Sequence, residues 1–126
     1  MKEFITEHKQ KIIVCGCILA AIVIVFILLL ATVKPRVIGV WQKDVGYMDY
    51  YGCAVISTLV LDDDGSFSQI YTNANTGAVL KTKSGVWTVS WFEVQCREIG
   101  ERGYSPYMFN PIANQLNNNG VYKKIS

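Results

Sequence analysis

From Ile12 to Val33 the chain reads IIVCGCILAAIVIVFILLLATV, and this run decides what the rest of the molecule must be. It carries no charge and one polar side chain, Thr32. Its 22 residues form a helix of roughly 33 Å at 1.5 Å rise per residue, against a hydrocarbon core of about 30 Å. A core helix apolar on every face needs a large protein around it, and this chain has 126 residues in all. A cleaved signal has an apolar stretch of only about 7–15 residues and small residues at the cut, which Ala31-Thr32-Val33 does not match. Val14-Cys15-Gly16-Cys17 has the residue types of a lipoprotein processing site. Such a site closes an apolar run, however, and Cys17 stands near the start of this one. The expectation is a tail over 1–11, a transmembrane helix over 12–33, a juxtamembrane linker over 34–36 and a folded domain over 37–126.

The flanks leave sidedness open. Lys2, Lys9 and Lys11 precede the span, and Lys34, Arg36 and Lys43 follow it, so the positive-inside rule ties at three each. A short tail before an uncleaved apolar segment is the layout of a signal anchor, which keeps the tail in the cytoplasm. The domain beyond holds two cysteines, Cys53 and Cys96, a pair that an oxidising compartment would bond; two buried thiols is the competing reading. Both arguments favour a single-pass protein of the inner cell membrane with its domain in the periplasm or outside the cell.

Residues 37–126 hold seven Lys or Arg and eight Asp or Glu, a net of −1, with no basic stripe, so nucleic acid is not an expected partner. Strand signals dominate this region. Val37 to Trp41 reads as a strand, and the tyrosine-rich stretch from Gly46 to Gly52 as irregular. Ala54 to Leu61 is rich in β-branched residues and ends at Asp62-Asp63-Asp64-Gly65, a strong hairpin signal. Ser66 to Thr72 returns, Asn73 to Gly77 turns again, and Ala78 to Lys83 is a short third strand. In Val86-Trp87-Thr88-Val89-Ser90-Trp91 the large apolar residues alternate with Thr88 and Ser90, the pattern of a half-buried strand that runs on through Val94 and Cys96. Gly103 to Asn119, with two prolines and five asparagines, reads as a loop packed by its own aromatics, and Gly120 to Ile125 as a last strand. Strands joined by short turns imply an antiparallel meander curling into a small barrel or half-barrel, with Trp41, Phe67, Trp87, Val89 and Trp91 in its core.

Gly39-x-Trp41, Asp64-Gly65-Ser66-Phe67, Gly85-Val86-Trp87 and the terminal Val121-Tyr122-Lys123-Lys124-Ile125 together resemble the lipocalin-like small barrels, over most of residues 37–125. In that family Gly-x-Trp opens a strand with the tryptophan in the core, and Asp-Gly-x-Phe marks a hairpin. The resemblance implies the barrel and, by extension, an interior that takes a small apolar ligand. The chain departs from the family in length, since about 90 residues are few for eight long strands around a wide cup.

Little here points to catalysis. The one histidine, His8, precedes the span. Asp62 to Gly65 lacks carboxylates at the end positions a calcium loop needs, Val60 and Tyr71 standing there. No phosphate loop, nucleophile elbow or metal cluster is present, and no cofactor is expected. What stands out is aromatic surface. Tyr47, Tyr50, Tyr51, Tyr104, Tyr107 and Phe109 fall in the two least regular segments, where binding residues gather. The expected function is protein binding, as an accessory subunit of an envelope complex or an immunity or exclusion factor, with a small apolar ligand as the alternative. Gly16-x-x-x-Ala20 offers a small-residue face through which two spans can pack into a homo-oligomer.

Overall fold

A computed structural model describes residues 2–126, with side-chain surroundings from Lys9 onward. His8 and most of the tail therefore lie outside the described side chains. The chain divides into two compact units, 1–32 and 33–126.

The first unit is helix. Helix α1 spans Lys2–Val37, and its segment Lys9–Val37 is long and apolar enough to cross a membrane, its most apolar 18-residue window having mean hydropathy 3.4 and no buried residue. Ile12 to Leu28 all stand exposed, as a lipid-facing surface requires.

The second unit is a closed barrel of eight antiparallel strands in simple chain order: β1 Gly39–Met48, β2 Cys53–Leu61, β3 Ser66–Asn73, β4 Val79–Ser90, β5 Glu93–Glu98, β6 Ser105–Asn110, β7 Gln115–Asn117 and β8 Val121–Lys124. The expected meander is there, with the Asp62–Gly65 hairpin in place. Four details of the strand assignment differ. The tyrosine-rich stretch is ordered as far as Met48, because Tyr47 and Met48 pair with Ala54 and Cys53 across the β1–β2 hairpin. Residues 78–83 and 86–91 are not two strands but one, β4, continuous against β3 and β5. That strand does not run through Val94 and Cys96: it reverses at Trp91-Phe92, so that Val89 faces Val94 and Trp87 faces Cys96. Finally, residues 103–119 are not a loop. They supply β6 and β7, and Pro106 is accommodated opposite Gln95 beside a short neighbour strand.

The helix also outlasts the expected linker. Residues 34–36 are helical, with Pro35 inside the last turn, and the helix ends two residues later at Val37. Val33 and Val37 are completely buried among Trp41, Leu59, Leu61, Phe67 and Leu116, so this turn is part of the barrel core. Its terminal carbonyls, which have no partner within the helix, are met by barrel side chains: Trp41 Nε1 donates to Val37 O at 2.8 Å and Lys124 Nζ to Arg36 O at 3.0 Å.

The interior has two layers. The half nearest Val33 and Val37 is apolar, built from Trp41, Leu59, Leu61, Phe67, Trp87, Val94, Phe109 and Leu116. One residue pair further along each strand, the lining becomes polar. Ser57 Oγ and Tyr122 OH share a hydrogen bond of 2.9 Å, and Gln69 Nε2 donates to both at 3.3 Å. Tyr107 stacks edge-on to Tyr122 at 5.6 Å and hydrogen-bonds Gln69. Among the described residues no buried side-chain nitrogen or oxygen lacks a partner, so this layer costs little desolvation.

Candidate functional site

An up-and-down barrel puts alternate turns at opposite ends. The turns after β1, β3, β5 and β7 share the end far from Val33 and Val37, which is termed the distal rim. Tyr47, at the end of β1, is exposed, and Tyr50, in the following turn, is 86% exposed. Tyr51 is half-buried and meets Tyr50 edge-on at 4.8 Å. Tyr104, at the end of the β5–β6 turn, is exposed, and Ile99 in the same turn is exposed beside it in sequence. Four of the six candidate partner-binding aromatics thus stand at one rim, contributed by two hairpins.

The other two do not. Tyr107 and Phe109 point into the barrel and are 2% and 4% exposed, so neither is available to a partner. Both belong to β6, and strand alternation turns both inward while Pro106 and Met108 face out. Burial pushes the Tyr107 hydroxyl far above its ordinary pKa. Of the expected core, Trp41, Phe67 and Trp87 are buried and Val89 packs against them, but Trp91 is outside, 68% exposed. It sits at φ +57° as the first residue of the β4–β5 turn, so the alternation that carries Trp87 and Val89 inward stops one residue before it.

Cys53 and Cys96 are both free thiols. They belong to β2 and β5, with β3 and β4 between them. The expected bond between them is not formed, and so it lends no support to an oxidising compartment. Cys96 is buried, which pushes its thiol up to about 12. Gly16 and Ala20 are exposed on α1, with nothing within 4 Å of a Cβ at Gly16.

A second feature was not legible in the sequence. β1 pairs with β2 along its whole length but with β8 only at Trp41 and Gln42. Beyond that point the two strands part, leaving an open groove of about 370 Å³ lined by Gln42, Lys43, Asp44, Val45, Gly120 and Val121. Lys43 bridges it: Nζ donates to Asn118 O at 3.1 Å and lies 5.0 Å from the Tyr122 ring centre. Partial burial lowers the Lys43 pKa. No sequence signal marked it: the mismatch between four residues in β8 and ten in β1 exists only in the folded pairing.

Among the described residues no three His, Cys, Asp or Glu side chains converge as metal ligands would. The chain matches no family model, no curated protein and no solved structure.

Proposed function

We propose that this chain is a membrane-anchored binding module, a bitopic protein whose barrel engages a protein partner through its distal rim. The observation that carries this reading is that Tyr47, Tyr50, Tyr51 and Tyr104 stand at the same end of the barrel, on two of its four distal turns. Tyrosines offer large area, a polar tip and few rotamers to freeze, which is why they are enriched in protein interfaces. Solvated turns have no structural need of so many of them. The length and uniform apolarity of α1 support the anchor, and the signal-anchor layout supports a cytoplasmic tail with the barrel on the outer side of the inner membrane. An accessory role in an envelope complex, or an immunity or exclusion role, fits such a module. The test is co-purification from detergent of the wild-type chain and of a Tyr47→Ser, Tyr50→Ser, Tyr104→Ser variant. A partner retained equally by both would overturn the rim assignment.

The alternative is a lipocalin-like protein holding a small apolar ligand. It needs an apolar cup, and here Trp41, Leu59, Val94 and Leu116 are fully buried and fill the apolar half of the barrel. The rim reading is therefore preferred.

A further inference from the structure

Three turns share the barrel end at which the chain enters from Val33–Val37: Asp62–Gly65, Trp91-Phe92 and 111–114. Their chemistry differs. Asp62, Asp63 and Asp64 are exposed carboxylates, and Asp64 accepts hydrogen bonds from the Ser66 hydroxyl at 2.6 Å and the Ser66 amide at 2.9 Å, which favour its charged form. The other two turns present large apolar side chains at their tips, Trp91 at 68% and Ile112 at 96% exposure. The positive φ at Trp91 suits glycine or asparagine, and the 110–113 turn is shaped by Asn110, whose Oδ1 accepts from the amides of Ile112 and Ala113. Glu93, next to the Trp91 turn, accepts from Gln95 Nε2. The two apolar turns are neighbours around the rim because β5 pairs with β6. The second is fixed to the chain's point of entry: Arg36 in the last helical turn donates to Pro111 O at 2.8 Å, and its guanidinium lies 5.1 Å from the Phe109 ring centre.

We propose that the Trp91 and Ile112 turns form a lipid-docking edge that inserts at the headgroup–acyl boundary, while the Asp62–Asp64 turn stays in water. This rests on the reading of α1 as a membrane span. Arg36 follows the apolar run by three residues, so the Pro111–Ile112 turn bonded to it is tied to the chain a short distance after the span. Tryptophan is favoured at that depth because its ring is apolar and its N–H polar, and an exposed isoleucine gains by leaving water. Carboxylates are not favoured there.

The test uses the full chain in phosphatidylcholine vesicles whose acyl chains carry bromine close to the headgroup, a contact quencher of tryptophan. Wild type is compared with Trp91→Asn, a residue that tolerates the local backbone. Since Trp91 is one of three tryptophans and Trp41 and Trp87 are buried, the wild type is expected to lose a larger fraction of its emission, by on the order of a third of the total. Adding Ile112→Trp to the Trp91→Asn variant should restore the quenched component, whatever the fate of the β4–β5 turn. Equal fractional quenching in all three proteins, with all three floating with the vesicles, overturns the docking edge and leaves the anchor standing. Failure of the wild type to float overturns both.

Discussion

At the residue scale, the thiol of Cys96 illustrates how burial fixes chemistry. It lies against the polar layer of the barrel with a pKa raised to about 12, so at neutral pH it is a thiol and not a nucleophile. In the unfolded chain it titrates near 8.5, so its contribution to stability is fully present below that pH and is lost as pH rises towards 12. Urea midpoints of the wild type should therefore fall from pH 9 to pH 11 (roughly, by the reference thiol value) more steeply than those of Cys96→Ala. Alkylation mapped by mass spectrometry should find Cys96 unmodified until denaturant is added. Gly85 is a second residue with one defined role. A Cβ there would collide with the Arg97 carbonyl across the β4–β5 pair and lie 2.8 Å from the Phe67 ring. Gly85→Ala should destabilise the barrel by about 1–3 kcal/mol, measured by chemical unfolding, since neither the strand nor the packed ring can retreat freely.

At the scale of elements, the junction between α1 and β1 carries the most consequence. Its last turn is shared, helical by hydrogen bonding yet buried in barrel core through Val33 and Val37. Val37→Ala should cost the barrel about 2 kcal/mol through the cavity it leaves. Val25→Ala, on the exposed stretch of the same helix, should leave the barrel's unfolding unchanged. Hydrogen bonding within the polar layer makes a comparable contribution. Tyr122→Phe removes the hydroxyl that bonds Ser57 and Gln69, both buried, and should cost about 1–3 kcal/mol as their groups lose a partner. A thermal melt of the purified full chain distinguishes these variants.

For the barrel as a whole, closure is uneven. Seven neighbouring strand pairs are sequential hairpins, while the eighth, β1 with β8, joins the first and last strands of the barrel through only two residue pairs and the flanking bonds Val40 N–H to Ser126 O and Ile125 N–H to Val40 O. The seam beside the Lys43 groove is thus the expected point of first opening. Native-state hydrogen exchange should show amides of β8 exchanging before those of β2 and β3, whose pairing runs over seven consecutive positions. Exchange of β2 and β3 ahead of β8 would contradict this picture.

The sequence by itself determined the local elements. A lone uncharged run of 22 residues in an apolar setting is a helix, because only a helix satisfies all its backbone groups within one segment. Asp62-Asp63-Asp64-Gly65 specifies a turn through residues that favour turn geometry, and β-branched alternation specifies the strands beside it. These signals act over a few neighbours, so they survive without knowledge of the fold, and they gave the antiparallel meander. What only the tertiary structure decided was which side of each element found cover. Tyr107 and Phe109 sit in a segment of prolines and asparagines that carries no strand signal of its own, and pairing with β5 makes it a strand and turns both rings inward. Trp91 continues a perfect alternation on paper, but the β4–β5 register places the reversal at that residue and leaves its ring outside. Val33 and Val37 look like the end of a span, yet they complete a core built from residues as distant as Leu116, at 0% exposure, and Tyr122. In each case the deciding partner is distant in sequence, and a pattern confined to neighbouring residues holds no information about it.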